Sequence, residues 1–124
     1  MESSFTKRDV RDIEAIIQYC ERIDETLVSL GRDEDDFLED YVLQSSCAFS
    51  LIQIGEAVKD LSKRGISDRY PDIEWSSIAR FRDIIVHHYG KIDLHVVWKT
   101  AVHLVPELKA QCEIILKDLR ECSY

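Results

Sequence analysis

The stretch KRDVRDIEAIIQYCERIDETLVSL, residues 7–30, decides the fold class. Val10, Ile13, Ile17, Cys20, Ile23 and Leu27 recur in it at steps of three and four, the period of a helix with one buried face. Thr6 stands where an N-cap belongs, and Gly31 closes the run as a residue free to leave the helix in a left-handed conformation. No part of the chain shows a convincing two-residue alternation, so strands are not expected.

The helical period continues beyond this stretch. A second helix is predicted from Asp35 to Lys63, roughly 43 Å long at about 1.5 Å per residue, with Leu38, Tyr41, Ser45, Ala48, Ile52 and Gly55 along one side. Gly65, Ser67, Asp68 and Pro71 then break the pattern, which predicts a loop over Arg64–Asp72. A third helix is predicted over Ile73–His87, stopped by Gly90. A further helical stretch begins near Asp93, and in it Pro106 either makes a kink or opens a last helix reaching about Leu119. The expected architecture is all-α: an antiparallel bundle of four to five helices whose two long N-terminal members form a hairpin.

A chain of 124 residues, 45% hydrophobic and 32% charged, fits a single domain spanning 1–124. No apolar run reaches the roughly 18 residues of a membrane span, and MESSFTKRDVRD at the start lacks the apolar segment of a secretory signal. Cys20, Cys47, Cys112 and Cys122 show no CxxC spacing, which argues against a zinc knuckle or a disulfide framework. The first three fall inside helical patterns as small buried hydrophobes, and a reducing cytoplasm is the expected setting. The net charge of -8 opposes a protein that grips nucleic acid over its whole surface. Yet Arg80, Arg82, His87, His88, Lys91, His95 and Lys99 face only Asp83 and Asp93 between residues 80 and 99, a locally basic strip. The acid run from Asp33 to Asp36 reads as a solvated helix start, favoured by the helix dipole.

Two residues break the pattern. On a wheel of about 100° per residue, Arg82 lies within about 60° of Trp75, Ile78, Ala79, Ile85 and Val86, near the middle of an apolar face. A permanent cation there needs a partner. Glu56 lies within about 40° of Ile52 on the second helix, and Gly55 beside it permits a close helix approach, so Glu56 and Arg82 are expected to meet. The alternative is a structural Arg82 and an exposed Glu56. His87 falls about 140° from Arg82, with Asp83 four residues before it at a spacing that lets a carboxylate face an imidazole. The histidines at 87, 88, 95 and 103 offer no i,i+4 pair, and neither a metal nor any other cofactor is expected.

Arg82-Asp83-Ile84-Ile85-Val86-His87-His88-Tyr89 resembles the R-x4-H-x-Y signature of HepT-like toxins in the HEPN superfamily. Ile54-Gly55-Glu56-Ala57 is similar to that family's Gly-Glu-Ala segment, and Pro71 to Trp75 to its P-x-I-x-W. Ile92 to Trp98 is similar to the segment after the motif, and Leu104 to Leu108 to its L-x-P-x-L. The resemblance spans almost the whole chain; Asp83 stands where the motif often has Asn.

The resemblance implies a metal-independent endoribonuclease in which an RNA 2'-hydroxyl attacks the adjacent phosphate and leaves a 2',3'-cyclic phosphate. It assigns His87 the general acid or base role and Arg82 the phosphate, with Asp83 and Glu56 in support. It implies a homodimer whose motifs face each other, an RNA substrate (tRNA or mRNA), and a toxin–antitoxin pairing. The partner antitoxin would be an MntA-type minimal nucleotidyltransferase that attaches AMP to Tyr89. The rival expectation is a non-catalytic HEPN module that binds nucleotides or docks onto a nucleotidyltransferase.

Overall fold

The computed structural model describes residues 6–31, 33–88 and 90–121, all of whose regular elements are helical. Helix α1 covers Lys7–Ser29. Thr6 opens it through a reciprocal pair: the Asp9 N–H donates to Thr6 Oγ1 at 3.1 Å, and the Thr6 N–H donates to Asp9 Oδ2 at 3.0 Å. After Leu30 the chain leaves the helix through Gly31 at φ 61°. The buried row is Ile13, Ile16, Cys20, Ile23 and Leu27; Ile17, expected in it, is only partly buried beside Ile16.

The expected single second helix is two. Helix α2 is Glu34–Leu38 and α3 is Tyr41–Lys63. Asp33 caps α2, its carboxylate accepting from the Asp35 N–H at 2.8 Å and the Asp36 N–H at 3.3 Å, which accounts for the acid run. Asp40, extended at φ -116° and ψ 92°, accepts from the Leu43 N–H at 3.1 Å and restarts the helix. The break lets Phe37 turn fully inward against Trp98, ring centroids 5.3 Å apart. It also resets the phase of α3. Cys47, Leu51, Ile54, Val58 and Leu61 face the core, whereas Tyr41 and Ser45, expected on the buried side, are exposed. At 23 residues α3 is roughly 34 Å long rather than 43 Å.

The predicted loop holds a short helix, α4, Ile66–Arg69, because Ile66 is buried directly after Gly65 at φ 87°. Helix α5, Trp75–His87, begins two residues later than expected. Its first residue is fixed by a turn instead: the Trp75 N–H donates to the Ile73 carbonyl at 2.9 Å, and the indole N–H to the Tyr70 carbonyl at 2.8 Å. Asp93 caps α6, Leu94–Lys99, which runs without interruption through a π-helical turn at Thr100–Leu104 into α7, Val105–Glu121. Pro106 is therefore the second residue of the last helix, not its first. It lies in the first turn of α7, just past a wider turn in which the Val105 N–H reaches five residues back to the Thr100 carbonyl.

Helix α3 lies between α1 and α5, and α1 lies between α3 and α7. The α1–α3 pair is antiparallel, and its open end, opposite the connection through α2, is held by Arg64, whose Nε donates to Asp9 Oδ1 at 2.6 Å while Nη2 donates to Asp12. The three described thiols, Cys20, Cys47 and Cys112, lie free and fully buried, and burial pushes them up to about 12, 11 and 12. Cys122 lies outside the described residues. No helix among the described residues is long and apolar enough to cross a membrane.

Candidate active site

Gly55 sits mid-way along α3, and Arg82 crosses it from α5. A methyl group on Gly55 would stand 2.2 Å from Arg82 Cβ and 2.6 Å from its Cγ, so these two helices approach closer than any side chain at 55 permits. The aliphatic stem of Arg82 fills the groove this leaves, and its guanidinium comes out at the edge of the interface with the side chain 19% exposed.

Two carboxylates meet it there. Arg82 Nε lies 3.2 Å from Glu56 Oε1, as expected from the sequence. The contact is an ion pair; Nε is buried and has no hydrogen-bond partner among the described residues. Arg82 Nη1 donates to Asp83 Oδ1 at 2.8 Å, and Lys59 Nζ donates to the same oxygen at 3.1 Å. The bond to Asp83, with help from the charge on Glu56, outweighs desolvation and raises the guanidinium pKa. The bonds from Arg82 and Lys59 hold the Asp83 carboxyl below the usual carboxylate range.

His87 is the last residue of α5 and is exposed. It lies five residues beyond Arg82, about 7.5 Å farther along the axis and turned to a different side of the helix. The expected facing of Asp83 and His87 is not found, and no hydrogen bond or ion pair joins them among the described residues. Two permanent cations, Arg82 and Lys59, hold the carboxylate on the α3 side instead. His88 caps the helix, its N–H donating to the Ile84 carbonyl at 2.9 Å. Tyr89 lies outside the described residues. His95 is an exposed helix residue whose Nδ1 is 2.8 Å from Glu34 Oε2, joining α6 to α2, and His103 is exposed on the π-helical turn.

Sequence reasoning assigned Lys59 nothing. It lies one turn beyond Glu56, and helical side chains slant toward the N-terminus, which carries its ammonium back toward the Gly55–Arg82 crossing. An open groove of about 720 Å³ starts beside it, lined also by Ser62, Lys63, Trp75, Ser76 and Ala79. Chemically, the arrangement is an arginine fixed at its root, with N–H groups left at the protein edge, and an exposed imidazole at the end of the same helix.

A family model described as Ribonuclease HepT-like matches residues 13–115, most of the chain and all of this site. The chain belongs to the HepT-like ribonuclease family. Among its relatives is "Putative RNase MJ0125" of Methanocaldococcus jannaschii, 34% identical over 90% of this chain and 97% of the relative. "Putative RNase TTE0752" of Caldanaerobacter subterraneus subsp. tengcongensis is 35% identical over 85% of this chain and 91% of its own length. "Probable ribonuclease HepT" of Thermococcus cleftensis is 36% identical over 67% and 74%. No solved structure matches. Membership places the chain among ribonucleases, and its all-α architecture is that of the HEPN fold.

Proposed function

We propose that this HepT-like protein is a metal-independent endoribonuclease that works as a homodimer. The observation that carries this reading is Arg82 itself, a cation seated across Gly55 with its polar end at the protein edge and an exposed His87 on the same helix. In the reaction the 2'-oxygen loses its proton and bonds to phosphorus. The bond from phosphorus to the 5'-oxygen breaks, and that oxygen leaves with a proton, giving a 2',3'-cyclic phosphate. His87 moves one of these protons, a task suited to an imidazole, which can both give and take one. Arg82 meets the non-bridging oxygens, where negative charge builds. Glu56 and Asp83 orient the guanidinium.

Arg82 and His87 stand about 140° apart on an ideal wheel at the end of α5, and a facing second copy would supply two arginines and two histidines to one cleft. Exposed apolar side chains fit such a contact: Val86 on α5, 39% exposed, and, along the side of α3 that carries Glu56, Phe49 and Val42, 53% and 58% exposed. Activity of this kind in the cytoplasm is toxic to its host and calls for a neutralising partner. The partner proposed is an MntA-type nucleotidyltransferase that transfers AMP to Tyr89, two residues past His87, where a phosphate would repel RNA.

The rival is a non-catalytic partner of a nucleotidyltransferase, favoured by the two carboxylates that already neutralise Arg82. Purified protein incubated with RNA in EDTA separates the two. New fragments ending in 2',3'-cyclic phosphate support the enzyme; intact RNA with a well-folded protein supports the module. For Tyr89, mass spectrometry after co-expression with the nucleotidyltransferase is expected to find AMP on that residue. AMP found only elsewhere would remove it from the scheme.

A further inference from the structure

The geometry points to Lys59 as a positioning residue for Arg82, acting through Asp83; this rests on the ribonuclease reading above. Lys59 Nζ and Arg82 Nη1 donate to one and the same oxygen, Asp83 Oδ1, at 3.1 and 2.8 Å. The four side chains Glu56, Lys59, Arg82 and Asp83 carry charges that cancel, two acids against two bases.

That balance sets what an RNA phosphate meets. A phosphate that engages both terminal nitrogens of Arg82 competes with Asp83 for Nη1, which already donates there. Lys59 holds Asp83 by the oxygen in dispute. With Lys59 present, Asp83 keeps a cationic partner while Arg82 turns to the phosphate. Without Lys59, the carboxylate has Arg82 alone, the group of side chains becomes net negative, and the incoming phosphate faces both a tighter competitor and a repelling charge. Lys59 is suited to this role in reach as well as charge. It is half-buried between α3 and α5, its stem anchored in the helix that carries Glu56, and it bonds across to a residue 24 positions away.

The test uses five proteins: the parent, Lys59→Met, Asp83→Asn, the double variant, and Lys59→Arg as the conservative control. Cleavage of a short oligoribonucleotide is measured for each. Lys59→Met is expected to raise KM about tenfold while kcat stays within about twofold, and Lys59→Arg to restore most of the loss. In the Asp83→Asn background, the same lysine substitution is expected to change KM by less than about twofold, since the competitor it restrains is gone. An equal loss in both backgrounds, together with a weaker dependence of KM on salt, would mean that Lys59 touches RNA directly and would overturn the proposal. No loss in either background would overturn it too.

A second readout does not depend on cleavage. Inorganic phosphate is titrated against each protein while the Arg82 Nε–H resonance is followed. Phosphate is expected to bind the parent and to bind Lys59→Met about tenfold more weakly only while Asp83 is present. A parent that cleaves no RNA but shows this pattern would refute the ribonuclease and leave the Lys59 relay standing. A parent whose Arg82 resonance ignores phosphate would refute the relay itself.

Discussion

Gly55 and Arg82 occupy one crossing point: the space a methyl group would take on Gly55 is filled by Arg82 Cβ, 2.2 Å away, and Cγ, 2.6 Å away. The atoms in the way are the root of the side chain, not its flexible end, so they cannot swing aside. The same absence of a side chain that brings α3 and α5 together also fixes where the guanidinium emerges.

Gly55→Ala is therefore expected to destabilise the protein. Alanine in a helix interior is worth about 1 kcal/mol over glycine, but overpacking a tight contact costs about 1–3 kcal/mol. The net loss should reach up to about 2 kcal/mol by urea melts, and ribonuclease activity should fall further than stability does because Arg82 is displaced. A variant as stable as the parent or more so, with full activity, would contradict the close crossing.

The Arg64 clamp predicts a pH response. Burial pushes the Asp9 carboxyl up, but the Thr6 N–H and the Arg64 guanidinium outweigh it and leave Asp9 below its ordinary value of 3.8. A carboxyl depressed on folding gives stability that is present above 3.8 and is lost as pH falls through its lower folded value. Arg64→Met should cost about 2–4 kcal/mol at neutral pH, since it strands Asp9, 6% exposed, and Asp12. The gap between parent and variant should narrow as pH falls through the folded value of Asp9, because the variant's carboxyl is no longer held down by Arg64. Urea melts from pH 7 down to about 2.5 check both; coincident acid profiles for parent and variant would count against the clamp.

The dimer proposed around the site predicts that the parent sediments as two copies at micromolar concentration. Phe49→Asp should shift it toward monomer and lower ribonuclease activity with it. Because Phe49 also meets the Tyr19 ring edge-on at 6.2 Å, Val42→Asp serves as the independent variant. Dimers unaffected by both substitutions would move the interface elsewhere.

Pro106 sits where it does little harm. A proline inside a regular helix costs about 3 kcal/mol, but the π-helical turn before it has already shifted the hydrogen bonding. Pro106→Ala should change stability by less than about 1 kcal/mol, read by thermal melts. A gain near 3 kcal/mol would show that the turn is a strained response to proline.

The helical class and the Glu56–Arg82 meeting were legible because each leaves a mark in spacing: apolar steps of three and four, and two charges on otherwise apolar faces with a glycine alongside. The break before Tyr41 was not. Leu38 and Tyr41 continue the helical step, and only the Asp40 carboxylate accepting from the Leu43 N–H shows that the chain restarts. The face of α3 was misjudged for a related reason. Apolar residues surround it, from buried Cys47 and Leu51 to exposed Val42 and Phe49, so periodicity alone does not choose a side. Lys59 was passed over because a lysine on a helix has many solvent-facing explanations, and its bond to Asp83 depends on the register between α3 and α5. Asp83 was placed toward His87 by a correct spacing rule, which two stronger cations across the interface override.

Cleavage of a defined oligoribonucleotide in EDTA by the parent, Arg82→Ala and His87→Ala tests the central claim most directly. Each substitution should slow cleavage at least about 100-fold without altering the melting curve, and the parent's product should carry a 2',3'-cyclic phosphate. Parental rates in either variant, or no cleavage by a folded dimeric parent, would contradict the ribonuclease built on Arg82 and His87.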